Sequence, residues 1–515
     1  MDAGNLIEMP TDSTAHVLIF PFPLQGHVNC MLKLAELLSR TGLHVTFLNS
    51  DYNHNRLSRN SRAYVLLAQS PRFRFESIPD GLADENPRSA FHLMELEESV
   101  RTRSAIPYRE LLTNISGRGD DGKWPPVTCV IADGAMTFAV DIAEELGIPA
   151  IAFRTISTCS FWAYFCIPRL LQSGELPFPD EADLDEPVRS VPGMEAFLRR
   201  RDLPSFCRQA GDEADRSLEF VTTVTANTNR ARALILNTFE SLEATALSHV
   251  RSHFPVTYAV GPLSALLECY RSHRPSNPAV SSTSSMPSAS LWEEDRTCMT
   301  WLDTQPHKSV VYVSFGSLAV VSQEVFLEFW IGLVNSGQRF LWVVRPDLVE
   351  EAMLPLPEEV KVGTKERGCL VDWVPQEEVL AHPAVGCFLT HSGWNSTLES
   401  MVAGVPMLCW SFFADQQINS RFVSEVWKVG LDMKDLCSRS IVEKKVREVM
   451  EGQRADGWRS SAREMAKMAR ESVAEGGSSH TDFRRLIQHI TSLSSHGAWT
   501  QIRTMQPKQI KARLQ

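Results

Sequence analysis

The sequence predicts an α/β protein made of two doubly wound domains that face each other across a cleft. Short β-branched runs alternate with helical patterns in both halves of the chain, which is typical of parallel sheets. A segment rich in Ser, Pro and Asn, at about 264–290, separates the two series. A length of 515 residues also exceeds that of one ordinary domain.

The strand and helix patterns follow one another in regular order. In the first half, strands are predicted at 16–22, 44–49, 127–133, 150–153 and 233–239, and helices at 29–38 and in the segment that ends at Leu146. In the second half, strands are predicted at 309–315, 340–344, 369–373 and 386–391, and helices at 322–336, 441–450, 458–473 and 481–492. Ser322 is the expected N-cap of its helix, with Glu324 in the first turn.

These patterns divide the chain into five parts. We expect a first domain at 1–262, an interdomain linker or loop at 263–298, a second domain at 299–475, a C-terminal helix at 476–495 that packs back on the first domain, and a disordered tail at 496–515. Ligands of doubly wound sheets bind beyond the carboxyl ends of the strands, so the cleft is the expected site.

The composition excludes several classes of function. A formal net charge of −11 argues against a nucleic-acid binder, which would present a basic face. The eleven cysteines form no C-x-x-C pair and no cluster with zinc-ligand spacing, so we expect reduced thiols. The N-terminus lacks a basic region followed by a long apolar one, and no apolar stretch is as long as a membrane span. We therefore expect a cytoplasmic protein without a membrane span.

Two short motifs lack the context that their functional interpretation needs. The glycines at 117–122 match G-x-G-x-x-G, but they precede a predicted strand, and Trp124 replaces the Ser or Thr of a P-loop. Asp183 and Asp185 form a D-x-D pair in an acidic loop flanked by prolines. We interpret the first motif as a turn and the second as a solvated loop. The hydrolase motifs G-x-S-x-G and H-E-x-x-H do not occur in the sequence.

The densest group of unusual residues lies at 373–417. A strand pattern delivers His391 to its carboxyl end, Ser392 and Gly393 make a turn, and a helix is expected to begin near Asn395. The free N–H groups of a helix N-terminus carry partial positive charge, and glycine permits close approach of the backbone. With His391 as a further donor, this arrangement predicts a pyrophosphate site.

Further side chains of this segment suit a nucleotide sugar. Glu399 lies one turn into the helix, where a carboxylate can accept two hydrogen bonds from a ribose diol. Trp373 ends a predicted strand and can stack on a base. Asp415 and Gln416 begin another helix, where they can bind sugar hydroxyls. Each residue alone is more often structural, but their combined spacing favours a binding site.

From Trp373 to Gln416 the segment closely resembles the 44-residue donor-binding signature of plant family-1 UDP-glycosyltransferases. The matching positions are Trp373, Pro375, Gln376, His382, Thr390, His391, Gly393, Trp394, Asn395, Ser396, Glu399, Gly404, Val405, Pro406, Asp415 and Gln416. The resemblance extends over about 16–490 and includes FPLQGHVN, IADGAMTFAVDIAEELGIP and SVVYVSFGS.

This resemblance implies a GT-B fold, in which two Rossmann-like domains bind the acceptor and the UDP-sugar. It also implies inversion at the anomeric carbon without a metal, with UDP-glucose as a co-substrate and no cofactor. The donor residues that it implies are Thr155, Ser317, Trp373, Val374, Gln376, His391, Gly393, Trp394, Asn395, Ser396, Glu399, Asp415 and Gln416. Trp373 would stack on uracil, His391, Asn395, Ser396 and Ser317 would contact the diphosphate, and Glu399 would bind the ribose. Thr155, Asp415 and Gln416 would lie at the transferred sugar.

Two positions depart from the family pattern. Cys30 stands where HVNP is common, and Ser411 stands where proline is usual. Both are tolerable substitutions, although Ser411 could loosen the turn that leads to Asp415 and Gln416.

His27 and Asp133 are the candidate catalytic residues. Each follows or ends a predicted strand of the first domain at its carboxyl edge, and in a parallel sheet these edges share one rim. A histidine base oriented by a carboxylate can activate a hydroxyl group. Either residue alone could instead cap a helix. The family resemblance assigns His27 as the base and Asp133 as the orienting acid.

We therefore expect an inverting, UDP-glucose-dependent hexosyltransferase that acts as a monomer on a small lipophilic plant-type acceptor. Residues 176–206 resemble the branch that contains 7-deoxyloganetic acid glucosyltransferases, which implies a terpenoid or iridoid hydroxyl or carboxyl group; phenolics and flavonoids stay open. The alternatives are a UDP-sugar epimerase of GT-B architecture and a non-catalytic UDP-sugar-binding protein. An intact His27 and Asp133 argue against the second alternative.

Overall fold

The computed structural model describes residues 14–89, 92–116, 124–178, 183–208, 211–273, 289–349, 357–434 and 437–495. The glycine motif at 117–122, the linker residues 274–288 and the predicted tail at 496–515 lie outside these ranges. The described residues form two parallel sheets with helices on both faces, which confirms the predicted fold class.

The first sheet has seven parallel strands in the order β3-β2-β1-β4-β5-β6-β7. Its strands are β1 (His16–Phe20), β2 (His44–Ser50), β3 (Phe73–Ile78), β4 (Cys129–Asp133), β5 (Ala150–Arg154), β6 (Ala233–Leu236) and β7 (Thr257–Ala259). The order reverses between β1 and β4, and such a switch point opens a crevice at the carboxyl ends of the two strands.

The second sheet has six strands in the order β10-β9-β8-β11-β12-β13. They are β8 (Val310–Ser314), β9 (Arg339–Val343), β10 (Gly368–Val371), β11 (Val385–Thr390), β12 (Met407–Cys409) and β13 (Gly430–Asp432). The equivalent switch point lies between β8 and β11. Ser317 and His391 follow these two strands.

Helices cover both sheets. Those of the first half are α1 (Gln25–Arg40), α2 (Asp51–Asn60), α3 (Arg62–Leu67), α4 (Leu93–Arg103), α5 (Ala105–Ser116), α6 (Thr137–Glu145), α7 (Thr158–Phe165), α8 (Ile167–Gln172), α9 (Ser205–Arg208), α10 (Asp212–Asn227), α11 (Glu240–His253) and α12 (Leu263–His273). Those of the second half are α13 (Thr297–Asp303), α14 (Gln323–Asn335), α15 (Glu358–Arg367), α16 (Gln376–Ala381), α17 (Trp394–Ala403), α18 (Gln416–Arg421), α19 (Arg439–Glu451), α20 (Ala455–Val473) and α21 (Ser478–Ser495).

Several local expectations are confirmed and others need correction. Ser322 caps α14 as predicted, since its hydroxyl accepts a hydrogen bond from the Val325 amide at 3.3 Å. Helix α1 begins at Gln25, earlier than the predicted 29–38, and therefore carries His27 in its first turn. The segment predicted as a linker begins instead with α12, which packs against α1 in the core of the first half.

The last helix returns to the first sheet. Phe483 and Ile487 of α21 are buried in the same cluster as the side chains of β1 and β2. Asp482 accepts a hydrogen bond from the Ala259 amide of β7 at 2.9 Å. No helix within the described ranges combines the length and the apolarity that crossing a bilayer requires. All eleven cysteines are free thiols, as expected.

Candidate active site

A cavity of about 630 Å³ lies between the carboxyl edges of the two sheets. Its walls contain every residue that the sequence singled out for catalysis or donor binding: His27, Asp133, Thr155, Ser317, Trp373, Val374, Gln376, His391, Gly393, Trp394, Asn395, Ser396, Glu399, Asp415 and Gln416. The structure thus brings the predicted site residues of both halves together in one place.

His27 and Asp133 meet at the switch point of the first sheet. Nδ1 of His27 lies 2.6 Å from Oδ2 of Asp133. Asp133 is 2% exposed at the end of β4, whereas the His27 side chain is 26% exposed toward the cavity. The hydroxyl oxygen of Thr155, which follows β5, lies 3.1 Å from the same Nδ1. The imidazole is therefore held through one nitrogen, and Nε2 stays available for a ligand.

The surroundings of Asp133 keep its carboxylate ionised. Burial alone would raise its pKa, but the His27 imidazole and the hydrogen bond from the Ala135 amide outweigh burial, so the pKa is lowered. The Ala135 amide donates to Oδ1 at 2.9 Å. An ionised carboxylate only accepts hydrogen bonds, so the proton of the pair resides on Nδ1 of His27. Nε2 then carries the lone pair of a base.

The turns after β8 and β11 pack against each other through His391. A Cβ at Gly316 would lie 2.5 Å from Nε2 of His391, and a Cβ at Gly393 would lie 2.4 Å from the same atom. Both glycines are therefore required for the close approach of these turns to the imidazole. Ser392, between His391 and Gly393, has a φ of 66° and adds local strain at this turn.

The His391 imidazole is neutral at pH 7. Burial lowers its pKa to about 4. Its Nδ1 is buried without a hydrogen-bond partner in the part of the chain that the structure describes. Helix α17 begins at Trp394, directly after the turn, so its free amides point to the same end of the cavity. These groups place hydrogen-bond donors where the sequence predicts a pyrophosphate site, which stays a prediction.

Glu399 is a buried residue of the cavity wall, and the side chains of Gln376 and Lys33 hold its carboxylate. Nε2 of Gln376 donates to Oε2 of Glu399 at 2.7 Å and to the Ser396 hydroxyl at 3.0 Å. The Tyr312 hydroxyl donates to Oε1 of Gln376 at 3.0 Å, which fixes the orientation of the amide. Burial raises the pKa of Glu399, although the nearby Lys33 ammonium acts in the opposite direction.

Lys33 of α1 is a site residue that the sequence analysis missed. Its ammonium lies 3.5 Å from Oε1 of Glu399 and also pairs with Glu377 at the start of α16. The Lys33 side chain is only 13% exposed. A cation from the first half thus neutralises two carboxylates of the second half beside the expected ribose position. The helix predicted at 29–38 contains Lys33 but not His27, so the sequence offered no signal that linked the two.

Trp373 provides an aromatic surface at one end of the cavity. It follows β10, which ends at Val371, two residues earlier than predicted. Its ring stacks on Trp292 with the centroids 5.7 Å apart and an angle of 26° between the planes. Arg56 covers Trp292, with its guanidinium carbon 4.2 Å from the ring centroid. Trp292 was not predicted, because its segment was interpreted as a linker.

Asp415 and Gln416 also line the cavity. Oδ2 of Asp415 accepts a hydrogen bond from Asn419 at 2.8 Å, and burial raises the pKa of Asp415 to about 6. Oε1 of Gln416 accepts from the amides of Phe412 and Phe413 at 2.9 and 3.2 Å. Two amide donors fix this atom as the oxygen, so the NH₂ group of Gln416 is the part that is left for a ligand.

The expectation that Ser411 loosens this turn is wrong. The Ser411 hydroxyl donates to the Gln416 carbonyl at 3.0 Å. A proline at this position could not make that bond, so serine ties the two ends of the turn together. Cys30 is buried in α1, and its thiol donates to the His27 carbonyl at 3.3 Å.

Side chains at the start of α17 connect the two halves. Nδ2 of Asn395 donates to the Gly26 carbonyl at 2.7 Å, and Nε1 of Trp394 donates to the Asn237 carbonyl at 2.8 Å. The predicted diphosphate end of the cavity is therefore anchored to the turn that carries His27. These bonds fix the distance between the turn that carries His27 and the start of α17.

The D-x-D pair does not belong to this site. Asp183 and Asp185 lie in an exposed turn, and Asp185 is 2.9 Å from both Arg199 and Arg201. Neither aspartate lines the cavity. This agrees with the interpretation of the segment as a solvated loop.

Comparison with known proteins identifies the family. The model of the family described as UDP-glucoronosyl and UDP-glucosyl transferase matches residues 281–456. The chain is 50% identical over 485 residues to 7-deoxyloganetic acid glucosyltransferase of Catharanthus roseus, covering 94% of this chain and 98% of that protein. It is 51% identical over 481 residues to myricetin 3-O-rhamnoside 1,2-glucosyltransferase of Crocosmia x crocosmiiflora, covering 93% and 96% of the two chains.

A solved structure supports the same relationship. Os79 of O. sativa in complex with UDP superposes with a TM-score of 0.75 at 28% sequence identity, covering 92% of this chain and 100% of that chain. The relatives named here transfer sugars, and nothing supports the epimerase alternative. With half of its residues shared over nearly its whole length, the chain belongs to the plant family-1 UDP-glycosyltransferases and is a UDP-glucosyltransferase with the GT-B fold.

Proposed function

We propose that this enzyme transfers glucose from UDP-glucose, with inversion and without a metal, to a hydroxyl group of a small lipophilic acceptor. The pair formed by His27 and Asp133 at 2.6 Å, inside a cavity shared by both halves, is the observation that carries the proposal. The family relationship supports the donor, and the residue roles below are argued from the geometry.

His27 acts as the general base. Its Nε2 takes the proton of the acceptor hydroxyl while the acceptor oxygen forms a bond to C1 of glucose. The bond from C1 to the diphosphate oxygen breaks in the same step, and UDP leaves from the opposite side of the ring. Attack from the face opposite to the leaving group inverts the configuration. Asp133 stabilises the imidazolium that forms and keeps Nδ1 protonated.

The leaving diphosphate is stabilised by groups of the second half. The amides at the start of α17, His391 and Ser317 line the cavity where negative charge develops. Preorganised donors in a partly buried site are effective at stabilising such charge. The neutral state of His391, whose pKa is about 4, suits a hydrogen-bond donor. These groups stabilise the negative charge that a divalent cation stabilises in other nucleotide-sugar enzymes, so the proposed mechanism requires no metal ion.

The remaining donor residues each contact a different part of the nucleotide sugar. Trp373 stacks on the uracil, with Val374 and Gln376 beside the nucleoside, and Glu399 accepts from the ribose diol. Asp415, the NH₂ group of Gln416 and Thr155 contact the glucose. The hydrogen bonds that orient Gln376 and Glu399 support this division.

The acceptor is proposed to be a terpenoid, iridoid or flavonoid. Two of the relatives carry the names of an iridoid acid and of a flavonol rhamnoside as substrates. The walls of the first half include apolar side chains that suit such a ring system: Phe22, Leu24, Phe206, Phe220, Val221 and Val224. The free thiols support a reducing, cytoplasmic location, and we propose that the enzyme is a monomer.

A product analysis tests this function. The enzyme is incubated with UDP-glucose and a panel of plant hydroxyl and carboxyl compounds, in the presence and absence of EDTA. We expect acceptor-dependent release of UDP, a β-linked glucoside by NMR, and no effect of the chelator. An α-linked product would contradict inversion. Loss of turnover in EDTA with recovery in manganese would contradict the metal-free mechanism.

A further inference from the structure

Arg154 is a buried cation in the cavity that the mechanism above does not use. It is the last residue of β5 and directly precedes Thr155, whose hydroxyl lies 3.1 Å from Nδ1 of His27. Only 6% of the residue is exposed, and it lines the cavity. A guanidinium in this place lies beside the proposed base, on the wall of the first half, where the acceptor binds.

The Arg154 side chain packs against Gly134, which has no Cβ to obstruct it. A Cβ at this position would lie 2.3 Å from Cδ and 2.8 Å from Nη1 of Arg154. The Gly134 amide donates to the Phe153 carbonyl at 2.8 Å, which keeps the loop after β4 against the end of β5. The guanidinium carbon lies 5.1 Å from the centroid of the Phe161 ring. Packing on an aromatic ring holds the guanidinium while leaving its N–H groups at the edge.

The N–H groups of Arg154 are unused, unlike those of the comparably buried arginines. Arg88 pairs with Asp80 at 3.0 Å, and Arg345 donates to the Gly316 carbonyl at 2.6 Å. Within the described residues, no protein group forms a hydrogen bond or an ion pair with the Arg154 guanidinium. Burying a charged group without partners is costly. Since Arg154 lines the cavity, its guanidinium N–H groups are available to a ligand or to water that enters it.

Two carboxylates lie near Arg154, and neither pairs with it. Burial lowers its pKa, whereas the nearby carboxylates of Asp133 and Asp415 act in the opposite direction. Neither carboxylate reaches it as an ion pair. An anionic ligand in this part of the cavity would be repelled by both carboxylates, and the guanidinium offsets that repulsion. The planar fork of arginine matches a carboxylate in a bidentate manner.

We propose that Arg154 binds a carboxylate of the acceptor, separate from the hydroxyl group that receives glucose. The preferred acceptors are then hydroxy acids, with the carboxylate on Arg154 and the hydroxyl at Nε2 of His27. This inference rests on the proposed function and names the substrate class for it. A carboxylate for Arg154 could also come from the sugar of the donor, as in UDP-glucuronate. The experiment distinguishes a carboxylate of the acceptor from one of the donor.

The test pairs each hydroxy acid of an acceptor panel with its methyl ester. Wild-type enzyme, Arg154→Met and Arg154→Lys are compared by kcat/KM with UDP-glucose. In the wild type we expect acids to be preferred over their esters. In Arg154→Met that preference should fall by on the order of 100-fold, because one partner of a buried charge pair is removed. Arg154→Lys should retain part of it. Arg271→Met is the matched control, since Arg271 lines the same cavity but is paired with Glu36 at 2.6 Å.

The outcomes separate this inference from the function on which it rests. Turnover of esters by the wild type reports glucosyl transfer itself, and calorimetric binding of UDP reports a folded variant. If no acceptor of either kind were glucosylated, the proposed function would fail. If esters were turned over and Arg154→Met reduced acids and esters equally, the carboxylate site would be wrong. If Arg154→Met instead abolished use of UDP-glucuronate with an ester acceptor, the carboxylate would belong to the donor.

Discussion

Nδ1 of His27 lies 2.6 Å from Oδ2 of Asp133, although the two residues are 106 positions apart in the chain. The first sheet brings them together because β1 and β4 are neighbours at its switch point. This relationship makes the two side chains one functional unit, with a single nitrogen left for the acceptor.

Replacing His27 by alanine should remove most activity on alcohol acceptors. The hydroxyl group has a pKa far above neutrality, and general base catalysis typically contributes about 100- to 10,000-fold. We expect kcat/KM of His27→Ala to fall by at least about 100-fold. UDP affinity, measured by calorimetry, should stay near the wild-type value, because the residues proposed to hold the uracil, the ribose and the diphosphate lie in the other half. His307→Ala, at an exposed histidine outside the cavity, is the control.

Further variants distinguish a catalytic from a structural role of this pair. Asp133→Asn should also lose activity, and the double variant should be little worse than His27→Ala because the residues act as a unit. A carboxylate that itself receives glucose is already ionised, so ester formation should tolerate His27→Ala far better. A wild-type rate of the chemical step on alcohols would remove the catalytic assignment.

Gln416 should control the choice of sugar through its NH₂ group. The variant Gln416→Glu keeps an oxygen for the amides of Phe412 and Phe413 but removes the NH₂ donor. We expect kcat/KM for UDP-glucose to fall by at least about tenfold, with UDP binding unchanged. Gln416→His should shift the preference toward UDP-galactose. An unchanged donor preference in both variants would place sugar selection elsewhere in the cavity.

Binding of UDP-glucose should weaken as the pH falls through about 6. Burial raises the pKa of Asp415 to about 6, so its carboxylate is ionised at pH 7 and protonated at pH 5. Sugar hydroxyls donate hydrogen bonds to the ionised Asp415 carboxylate and so favour that form. Below pH 6 the carboxyl group must first lose its proton, which weakens binding of UDP-glucose. The dissociation constant, measured by calorimetry between pH 5 and 8, should rise on the acid side. Asp415→Asn should lack this rise, and an identical profile in both proteins would refute the assignment.

Lys33 should stabilise the contact between the two halves. Removing one member of a buried ion pair typically costs about 3–5 kcal/mol. Lys33→Met would leave Glu377 and Glu399 facing each other, so we expect a loss of stability of this order and weaker UDP binding. Denaturant unfolding and calorimetry measure the two effects. Lys361→Met is the control, because its pair with Glu358 is exposed. Equal stability of the two variants would contradict this role.

Local signals in the sequence predicted most of the fold. The alternation of apolar runs and helical patterns predicted both sheets, and Ser322 marked the start of its helix correctly. Strand β3 was missed because Arg74 and Glu76 interrupt its apolar pattern, as is usual for an edge strand. Helix α12 was missed because the Ser- and Pro-rich residues that follow outweighed the helical spacing of Leu263, Leu266 and Leu267.

Most of the proposed donor side was predictable because its residues, apart from Thr155 and Ser317, fall in the one segment 373–417. Lys33 and Arg154 were not predicted, because their importance depends on residues that are distant in the chain. Lys33 pairs with a carboxylate 366 positions away. Arg154 directly follows the strand predicted at 150–153, and its place in the cavity wall beside Gly134 is seen only in the folded chain.

The hydrogen bonds that Trp394 and Asn395 make across the cleft have a consequence for chimeras that combine the halves of two related enzymes. Both side chains bind main-chain carbonyls, those of Asn237 and Gly26, and every residue type offers such a carbonyl. The docking of the second half therefore does not depend on side-chain identity at these two points. Substitutions in the acceptor walls therefore leave these two cross-cleft bonds in place. Chimeras that join the first half of one relative to the second half of another should consequently assemble a working cleft, with acceptor range following the first half.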